Sequence, residues 1–262
     1  HRDLHSFPTR RSSDLARKEV ATVSTDARVS GDSVVAIAQD VTLPHPVLWA
    51  LERPYLYRVV SRVMCGKAPC DTYATPFGVR SFAFRADSGF FLNGRHVKIR
   101  GVCLHHDLGA LGAAVNTRAM ERQLEIMRAM GANALRTSHN PPAPELLDLT
   151  DRMGFIVMDE AFDMWKKEKT KYDYHLDWDG WHVRDLSDMV LRDRNHPSVF
   201  IWSIGNEVME QWTDGDSSAA PIARELTGIV RALDPTRPVT QAANTGSPAN
   251  PVFPAGAPDL LG

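Results

Sequence analysis

The stretch that decides the fold spans residues 199–207 and reads Val-Phe-Ile-Trp-Ser-Ile-Gly-Asn-Glu. Five of its first six residues are apolar, which is typical of a strand buried on both faces in a parallel sheet. The apolar run stops at Gly205, and Asn206 and Glu207 follow it. In an α/β barrel the carboxyl ends of the strands form the active face, so a catalytic carboxylate is expected at this position. The alternative is an ordinary strand end whose glutamate faces water.

The chain after Gly94 alternates between strand and helix patterns. Strands are predicted over 97–103, 132–136, 155–158, 199–204 and 239–241, with a sixth beginning at Leu260. Helices are predicted over 116–130, from Pro144 to Gly154, over 179–193 and over 219–233. Repeated βα units of this spacing predict a parallel sheet with right-handed crossovers. About eight strands close such a barrel, so we interpret the sequence as a fragment cut at both ends.

The chain before residue 86 has a different pattern, in which short runs of β-branched and aromatic residues are separated by proline and glycine. Strands are predicted over 34–38, 55–60 and 79–84, which fits part of a β-sandwich. Residues 1–15 lack the long apolar core of a secretory signal. They resemble a translated adapter remnant, and we leave them out of the fold prediction.

Composition excludes several classes of function. The formal net charge of −2 provides no basic field, so a nucleic-acid partner is not expected. No run of about 18 apolar residues is present, so no membrane span is predicted. Cys65 and Cys70 are close enough in sequence to pair and would leave Cys103 single, but we favour three unpaired thiols. The cellular compartment stays open.

Polar residues follow four of the predicted strands, where a sheet core would reject them. One such cluster is unremarkable, whereas four on the same rim indicate a polar pocket. The clusters are His105, His106 and Asp107; Arg136, Ser138, His139 and Asn140; Asp159 and Glu160; and Asn206 and Glu207.

Five motifs resemble those of glycoside hydrolase family 2, and they occur in the family's order. They are Phe-Gly-Val-Arg at 77–80 with Asn-Gly at 93–94, Gly-Val-Cys-Leu-His-His at 101–106, Arg-Thr-Ser-His-Asn-Pro at 136–141, Asp-Glu-Ala at 159–161, and Arg-Asn-His-Pro-Ser-Val through Gly-Asn-Glu at 194–207. The resemblance covers residues 16–262 and implies three parts. Residues 1–15 are set aside, 16–85 form an N-terminally incomplete immunoglobulin-like β-sandwich, and 86–262 form a C-terminally truncated (β/α)8 TIM barrel.

The resemblance also implies roles for individual residues. Glu207 would be the general acid/base of a retaining glycosidase, and Asn206 would hydrogen-bond the 2-hydroxyl of the sugar. His105, Arg136 and His139 would line the sugar subsite. Two acidic residues would support the site from the third strand, namely Asp159 and Glu160. The physical chemistry agrees, because acetal cleavage needs one protonated and one ionised carboxyl group near neutral pH.

Two departures from the family pattern matter. The nucleophilic carboxylate of the family ends a later barrel strand, so no residue of this chain is assigned that role. Magnesium-dependent β-galactosidases of the family take ligands just after the Asp-Glu-Ala motif, where this chain has Met164 and Lys166. Neither side chain suits magnesium, so we predict no metal site and no cofactor.

The expected function is hydrolysis of terminal β-D-glycosidic bonds, with β-galactosides as the favoured substrates. The alternatives are a β-glucuronidase or another β-glycosidase of the family, and a non-catalytic carbohydrate-binding homologue. The intact Asn206–Glu207 pair argues against the last of these, because binding alone needs no general acid. The expected partner is a β-linked oligosaccharide or glycoside, and a homo-oligomer is left open.

Overall fold

The computed structural model describes residues 7–13, 19–212, 217–243, 250–252 and 256–261. The chain divides into two compact units, His1–Ser81 and Phe82–Gly262. This division falls close to the predicted boundary at residue 86. Within the described residues, no helix combines the length and the apolar character needed to cross a bilayer.

The first unit contains a four-stranded antiparallel sheet in the order β2-β1-β3-β4. Its strands are β1 (Phe7–Ser13), β2 (Glu19–Thr25), β3 (Tyr57–Cys65) and β4 (Ala68–Phe77). Strand β1 lies within the segment 1–15 that the sequence prediction set aside, and residues 1–6 and 14–18 lie outside the described residues. The extent of the sandwich domain therefore stays a prediction.

The strand predictions for this unit are partly confirmed. The run 55–60 becomes the first part of β3, which continues to Cys65. The run 34–38 was predicted as a strand, and this prediction is wrong, because none of these five residues is in a strand. Val34 is 99% exposed, so its β-branched side chain has no sheet surface on which to pack. The predicted strand 79–84 forms only from Phe82 onward, with Val79 in an isolated bridge.

Cys65 and Cys70 are joined by a disulfide across the β3–β4 turn. The expectation of three unpaired thiols is therefore wrong. Cys65 ends β3 and Cys70 is the third residue of β4, and the antiparallel hairpin brings their Cα atoms to 5.8 Å, within the range that a disulfide spans. Cys103 is free and exposed.

The second unit is built on a six-stranded parallel sheet in the order β13-β12-β11-β10-β9-β8. A small antiparallel sheet of β5 (Phe82–Arg85), β6 (Gly89–Leu92) and β7 (Arg95–His96) precedes it. The parallel strands are β8 (Gly101–His105), β9 (Ala134–Ser138), β10 (Ile156–Glu160), β11 (Val199–Asn206), β12 (Val239–Ala242) and β13 (Leu260–Leu261). The helices between them are α1 (Thr117–Ala129), α2 (Pro144–Met153), α3 (Trp178–Asp193) and α4 (Ala219–Leu233).

Helix ends are set by local sequence chemistry, as the sequence predicts. The side chain of Asn116 accepts a hydrogen bond from the amide of Ala119 and so caps α1. Pro144 opens α2, and Gly154 ends it in the left-handed conformation at φ 72° and ψ 56°. The first barrel strand begins at Gly101 rather than at Val97, and the other predicted barrel strands appear with small shifts in their ends.

The core lies between β11 and the helices. All eight residues of β11 are buried, as expected for a strand covered on both faces. The side chain of Trp202 is fully buried, and its indole N–H donates to Asp234 at 2.9 Å. The observed architecture is a partial α/β barrel, which confirms the predicted barrel class.

Gly205 in β11 packs against the indole of Trp165. A Cβ atom added at Gly205 would lie 2.6 Å from Nε1 and 3.0 Å from Cε2 of Trp165, and 3.1 Å from Val208. Trp165 is fully buried, and its N–H donates to the carbonyl of Ile204 at 2.7 Å. The indole therefore has no room to move away without breaking a buried hydrogen bond.

We predict that Gly205→Ala lowers the free energy of unfolding by about 2–4 kcal/mol, the sum of overpacking and a lost buried hydrogen bond. Thermal unfolding of the variant measures this change. Gly228→Ala is the matched control, because Gly228 lies inside α4 and an added Cβ would meet nothing within 4 Å. The control is expected to be neutral or stabilising by about 0.5–1 kcal/mol. Equal destabilisation by both substitutions would contradict the packing argument.

Candidate active site

A buried carboxylate, that of Glu160, joins three neighbouring strands at their carboxyl ends. It accepts hydrogen bonds from Nε and Nη2 of Arg136, both at 3.0 Å. It also accepts from Nδ1 of His139 at 2.8 Å and from Oγ of Ser203 at 2.6 Å. The Glu160 side chain has no exposed surface, while Arg136 and His139 are about one-fifth exposed. Glu160 therefore fixes the two side chains that reach the open side of the network.

Asn206 is held on three sides. Its Oδ1 accepts from Nη2 of Arg136 at 2.6 Å, and its Nδ2 donates to Oδ1 of Asp163 at 2.9 Å. Its backbone carbonyl accepts from Nζ of Lys169 at 2.7 Å. An asparagine amide has two N–H donors, and the second has no hydrogen-bond partner among the described residues.

Asp163 and Lys169 form an ion pair beside Asn206, with Nζ and Oδ1 separated by 2.8 Å. Burial acts to raise the pKa of Asp163. The hydrogen bonds from Lys169 and Asn206 outweigh this effect and hold the pKa below its usual value. Asp163 is therefore ionised at neutral pH and acts as a fixed acceptor.

Glu207 follows β11 and is exposed at the rim of the sheet. Its backbone lies in the left-handed region at φ 43°, which is uncommon for a residue other than glycine. Its amide N–H donates to the carbonyl of Ala242 at 2.8 Å. Within the described part of the chain, its carboxylate has no hydrogen-bond partner. The side chain is thus placed by its backbone and left accessible to a ligand.

His105 ends β8 and is exposed. Its ring lies edge-on to that of His139, with 5.2 Å between the ring centres. The next residue, His106, approaches the carbonyl of Asn140 through Nε2 at 3.2 Å. The structure therefore connects His105 to the Glu160 network through His139.

Asp159 has different neighbours from Glu160. It lies beside Thr137 and Asp193, and it is fully buried. Burial is the main cause that raises the pKa of Asp159 well above its usual value, and the nearby carboxylate of Asp193 adds to it. Arg192 pairs with Asp193 through two hydrogen bonds of 2.6 and 2.7 Å. Burial and the neighbouring carboxylate thus favour the protonated form of Asp159. Within the described residues, its side chain makes no hydrogen bond to Glu160, Arg136 or His139.

We predict that Asp159→Asn stabilises the fold, and more so at about pH 7.5 than at pH 5. An aspartate with a raised pKa in the folded state loses stability as the pH rises above its unfolded pKa, whereas asparagine does not titrate. The expected gain near neutral pH is about 1–2 kcal/mol, which corresponds to a few degrees in thermal midpoint. The measurement is thermal unfolding at both pH values. Asp193→Asn is the control and is expected to destabilise, because it leaves Arg192 without its partner; stabilisation by both would contradict the assignment.

The other end of β11 has a structural role. His196 precedes the strand, and its Nδ1 lies 2.7 Å from Oδ2 of Asp151 in α2. The amide of Ser198 donates to Oδ1 of the same aspartate at 3.0 Å. Arg194 donates to the carbonyl of Leu233 at 2.8 Å. These motif residues tie the start of β11 to neighbouring helices, away from the rim that carries Glu207.

The residues present do not fit a magnesium site at the positions that the family resemblance indicates. Met164 is buried and offers only a thioether, and Lys166 pairs with Asp179 at 2.8 Å. A hard cation requires oxygen ligands. In the part of the chain that the structure describes, no group of three or more His, Cys, Asp or Glu side chains is arranged to hold a metal.

Three residues of the network were not singled out from the sequence: Ser203, Asp163 and Lys169. Ser203 is the one polar side chain inside an otherwise apolar strand, which is a usable signal. Asp163 follows Glu160 by three residues on the same rim, so it also had a positional signal. Lys169 lies in a loop with four lysines, and nothing in the sequence distinguishes it from Lys166, Lys167 or Lys171.

A parallel α/β sheet that carries a buried carboxylate and an exposed glutamate at the carboxyl ends of its strands is typical of the α/β-barrel class of proteins. A family model described as "Glycosyl hydrolases family 2, TIM barrel domain" matches residues 84–253, and another described as "Glycosyl hydrolases family 2" matches residues 9–80. The chain belongs to glycoside hydrolase family 2. This confirms the family resemblance and the predicted combination of a sandwich-like domain with a TIM barrel.

Individual relatives show the same affiliation. Beta-galactosidase BoGH2A of Bacteroides ovatus is 48% identical over 95% of this chain, which covers 32% of that protein. A beta-glucuronidase of Bacteroides fragilis is 32% identical over 76% of this chain and 28% of its own length. A crystal structure of a glycosyl hydrolase family 2 member from Bacteroides cellulosilyticus matches 98% of this chain and 33% of its own, with 41% identity and a TM-score of 0.92. The chain thus spans about a third of the length of these relatives.

Proposed function

We propose that the complete protein containing this chain hydrolyses terminal β-D-galactosides with retention of anomeric configuration. The observation that carries the proposal is the contrast between Asn206 and Glu207. Asn206 is held by three partners, whereas the adjacent carboxylate is exposed at the carboxyl end of β11. A general acid must be positioned by its surroundings and still reach the glycosidic oxygen, and the fixed backbone and exposed side chain of Glu207 support this role.

In this mechanism Glu207 donates its proton to the glycosidic oxygen as the bond to the anomeric carbon breaks. It then removes a proton from the water that attacks the glycosyl-enzyme intermediate. The remaining amide N–H of Asn206 is directed to the 2-hydroxyl of the sugar. We expect that hydrogen bond to be stronger in the oxocarbenium-like transition state than in the bound substrate.

The Glu160 network has a supporting role in this mechanism. Glu160 is fully buried and cannot touch a sugar, so it acts by orienting Arg136 and His139. Arg136 in turn holds Oδ1 of Asn206, and His139 packs against His105. We assign Arg136, His139 and His105 to the wall of the sugar subsite, whereas Asp159 is fully buried and has no direct contact with the sugar.

The second carboxylate is proposed to come from a part of the protein outside residues 1–262. A retaining glycosidase needs a nucleophile about 5–5.5 Å from the acid/base. Since no residue of this chain is assigned that role, the isolated chain is expected to hydrolyse no aryl glycoside. Turnover by the purified chain that disappears on Glu207→Gln would contradict this expectation.

Charge balance in the network favours a neutral sugar. Its two permanent cations, Arg136 and Lys169, are each paired with a carboxylate, Glu160 and Asp163 respectively. The network therefore has no surplus positive charge for a sugar carboxylate. A β-glucuronidase is the second candidate, favoured by the similarity to proteins of that name, and its carboxylate-binding cation would have to come from another part of the protein.

The test is to assay the full-length protein with 4-nitrophenyl β-D-galactoside, glucuronide, mannoside and glucoside. Proton NMR of the first product anomer reports the stereochemical course. Highest kcat/KM on the galactoside with a β-configured first product supports the proposal. Preference for the glucuronide supports the second candidate, and an α-configured product excludes retention. Sugar binding without turnover of any substrate would indicate a non-catalytic homologue. The absence of a nucleic-acid partner stays a prediction, and a homo-oligomer stays an open alternative.

A further inference from the structure

Lys169 lies on the loop between β10 and α3, and its ammonium group reaches the backbone next to Glu207. Nζ is 2.7 Å from the carbonyl oxygen of Asn206 and 2.8 Å from Oδ1 of Asp163. The lysine side chain is only 19% exposed, which is unusual for a surface-loop lysine. The ammonium group of Lys169 is therefore held by the Asn206 carbonyl and the Asp163 carboxylate.

The contact with Asn206 fixes the peptide unit that leads into Glu207. The carbonyl of this peptide accepts from Lys169, and its N–H, which belongs to Glu207, donates to Ala242. A peptide unit is planar, so holding both its oxygen and its N–H sets its orientation. The orientation of this plane determines φ of Glu207, which is 43°. That value is unfavourable for a residue other than glycine, so it must be enforced by the surroundings.

Lys169 also acts on the side chain of Asn206, through Asp163. The Asp163 oxygen that accepts from Lys169 is the same atom that accepts from Nδ2 of Asn206. Without the ammonium group, the carboxylate would lose the charge that balances it and one of its two fixed donors. Both the backbone and the side chain of Asn206 therefore depend on Lys169.

The loop that carries Lys169 is itself ordered by Asp173. The Asp173 carboxylate accepts from the amides of Lys169 at 2.8 Å, Thr170 at 2.7 Å and His175 at 3.1 Å. Burial acts to raise the pKa of Asp173, but these amide hydrogen bonds and the His175 side chain lower it to about 2. The backbone of Lys169 is thus held in place, and a fixed backbone reduces the entropy lost when the side chain is ordered.

We propose that Lys169 is a positioning residue for the acid/base chemistry, which holds the Asn206–Glu207 peptide so that the Glu207 carboxylate is aimed at the glycosidic oxygen. The inference rests on the proposed function. It differs from a general stabilising role because only the proton-transfer part of the reaction should suffer when the ammonium group is removed. Glu207 would still be present, but its carboxyl group would be distributed over several orientations.

The test compares Lys169→Met with Lys166→Met in the full-length protein. Both substitutions remove one positive charge from the same loop, but Lys166 pairs with Asp179 where both side chains are more than half exposed. The substrates are 2,4-dinitrophenyl and methyl β-D-galactoside, whose leaving groups need little and full protonation respectively. For Lys169→Met we expect kcat/KM to fall about 10-fold to 100-fold on the methyl glycoside, a part of the total effect of general acid catalysis. The loss on the dinitrophenyl glycoside should stay below about threefold, and Lys166→Met should match the wild type.

Restoring the amine is the second arm of the test. Lys169→Cys is treated with 2-bromoethylamine, which attaches an aminoethyl group to sulfur and gives a lysine analogue one atom different in the chain. The wild type is treated in parallel, because Cys103 is also exposed. Recovery of most of the lost activity on the methyl glycoside is expected. If Lys169→Met does not fold, Lys169→Gln replaces it; this variant also lacks the positive charge and should show the same dependence on the leaving group.

The outcomes separate this proposal from the proposed function. If the wild type is a glycosidase and Glu207→Ala shows its own leaving-group dependence, the proposed function stands. An equal loss on both substrates in the Lys169 variants, or no loss at all, then overturns the role of Lys169 alone. If the wild type has no glycosidase activity, the proposed function and this inference are both overturned.

Discussion

Replacing Glu207 by alanine in the full-length protein is expected to slow the hydrolysis of β-galactosides according to their leaving groups. A phenolate of low pKa departs without protonation, so the first step should change little for dinitrophenyl substrates. An alkoxide needs the proton, and the loss there is expected to be about 10²–10⁴-fold. The measurement is kcat/KM across a series of aryl and alkyl β-galactosides, which gives a steep dependence on leaving-group pKa for the variant.

The second half of the reaction supplies an independent measurement. Glu207→Ala also removes the base that activates water, so the glycosyl-enzyme should accumulate and a burst of phenolate should appear. Azide needs no deprotonation and fits the space left by the side chain, so it should restore turnover and give a β-galactosyl azide. Glu168→Ala is the matched control, because Glu168 is an exposed glutamate on the neighbouring loop. A uniform loss on every substrate, with no burst and no azide product, would show that Glu207 is not the acid/base.

Replacing Glu160 by glutamine is expected to damage both stability and activity. The glutamine amide would place N–H donors against the N–H groups of Arg136, and the guanidinium would lose its counter-charge. Removing one partner of a buried ion pair costs about 3–5 kcal/mol. Since Arg136 also holds Asn206, kcat/KM should fall on all substrates, without the leaving-group dependence that distinguishes Glu207.

A surface pair provides the control for this substitution. Arg118 and Glu125 form the same two-pronged contact, at 3.0 and 3.1 Å, but both side chains are about half exposed or more. Glu125→Gln should therefore change the free energy of unfolding by less than about 1 kcal/mol. Thermal unfolding of both variants makes the comparison. If Glu160→Gln changed the free energy of unfolding as little as Glu125→Gln does, the buried network would not be stabilising the site.

The barrel was predictable because its signals are local. The helix period, the Asn116 cap, Pro144 and Gly154 each act within a few residues, and the uniformly apolar β11 indicates burial on both faces. The wrong predictions concern features that depend on contacts with other parts of the chain rather than on the local sequence. The β-branched run at 34–38 does not form a strand, and Cys65 and Cys70 pair because the β3–β4 hairpin brings them together.

The candidate site was predictable at strand ends and much less so elsewhere. Ser203 and Asn206 are three residues apart, which in a regular strand places them on opposite faces. Both nevertheless contact the Glu160–Arg136 pair, because the register of β11 against β12 shifts between them. No sequence pattern predicts such an irregularity. The contact of Lys169 with Asn206 could not be predicted for a related reason, since it depends on how the loop that carries Lys169 folds over β11.

The sequence separations between the hydrogen-bonded residues of the Glu160 network indicate when the network forms during folding. Its hydrogen bonds join residues 24, 43 and 70 positions apart, so the network closes only after three successive βα units have docked. Contacts of such long separation tend to form after the local ones, because the chain must first give up loop entropy. Interactions that form after the rate-limiting barrier govern the speed of unfolding rather than of folding. The network should therefore slow unfolding. A substitution at Glu160 that weakens the network would shorten the lifetime of the native state and leave the folding rate nearly unchanged.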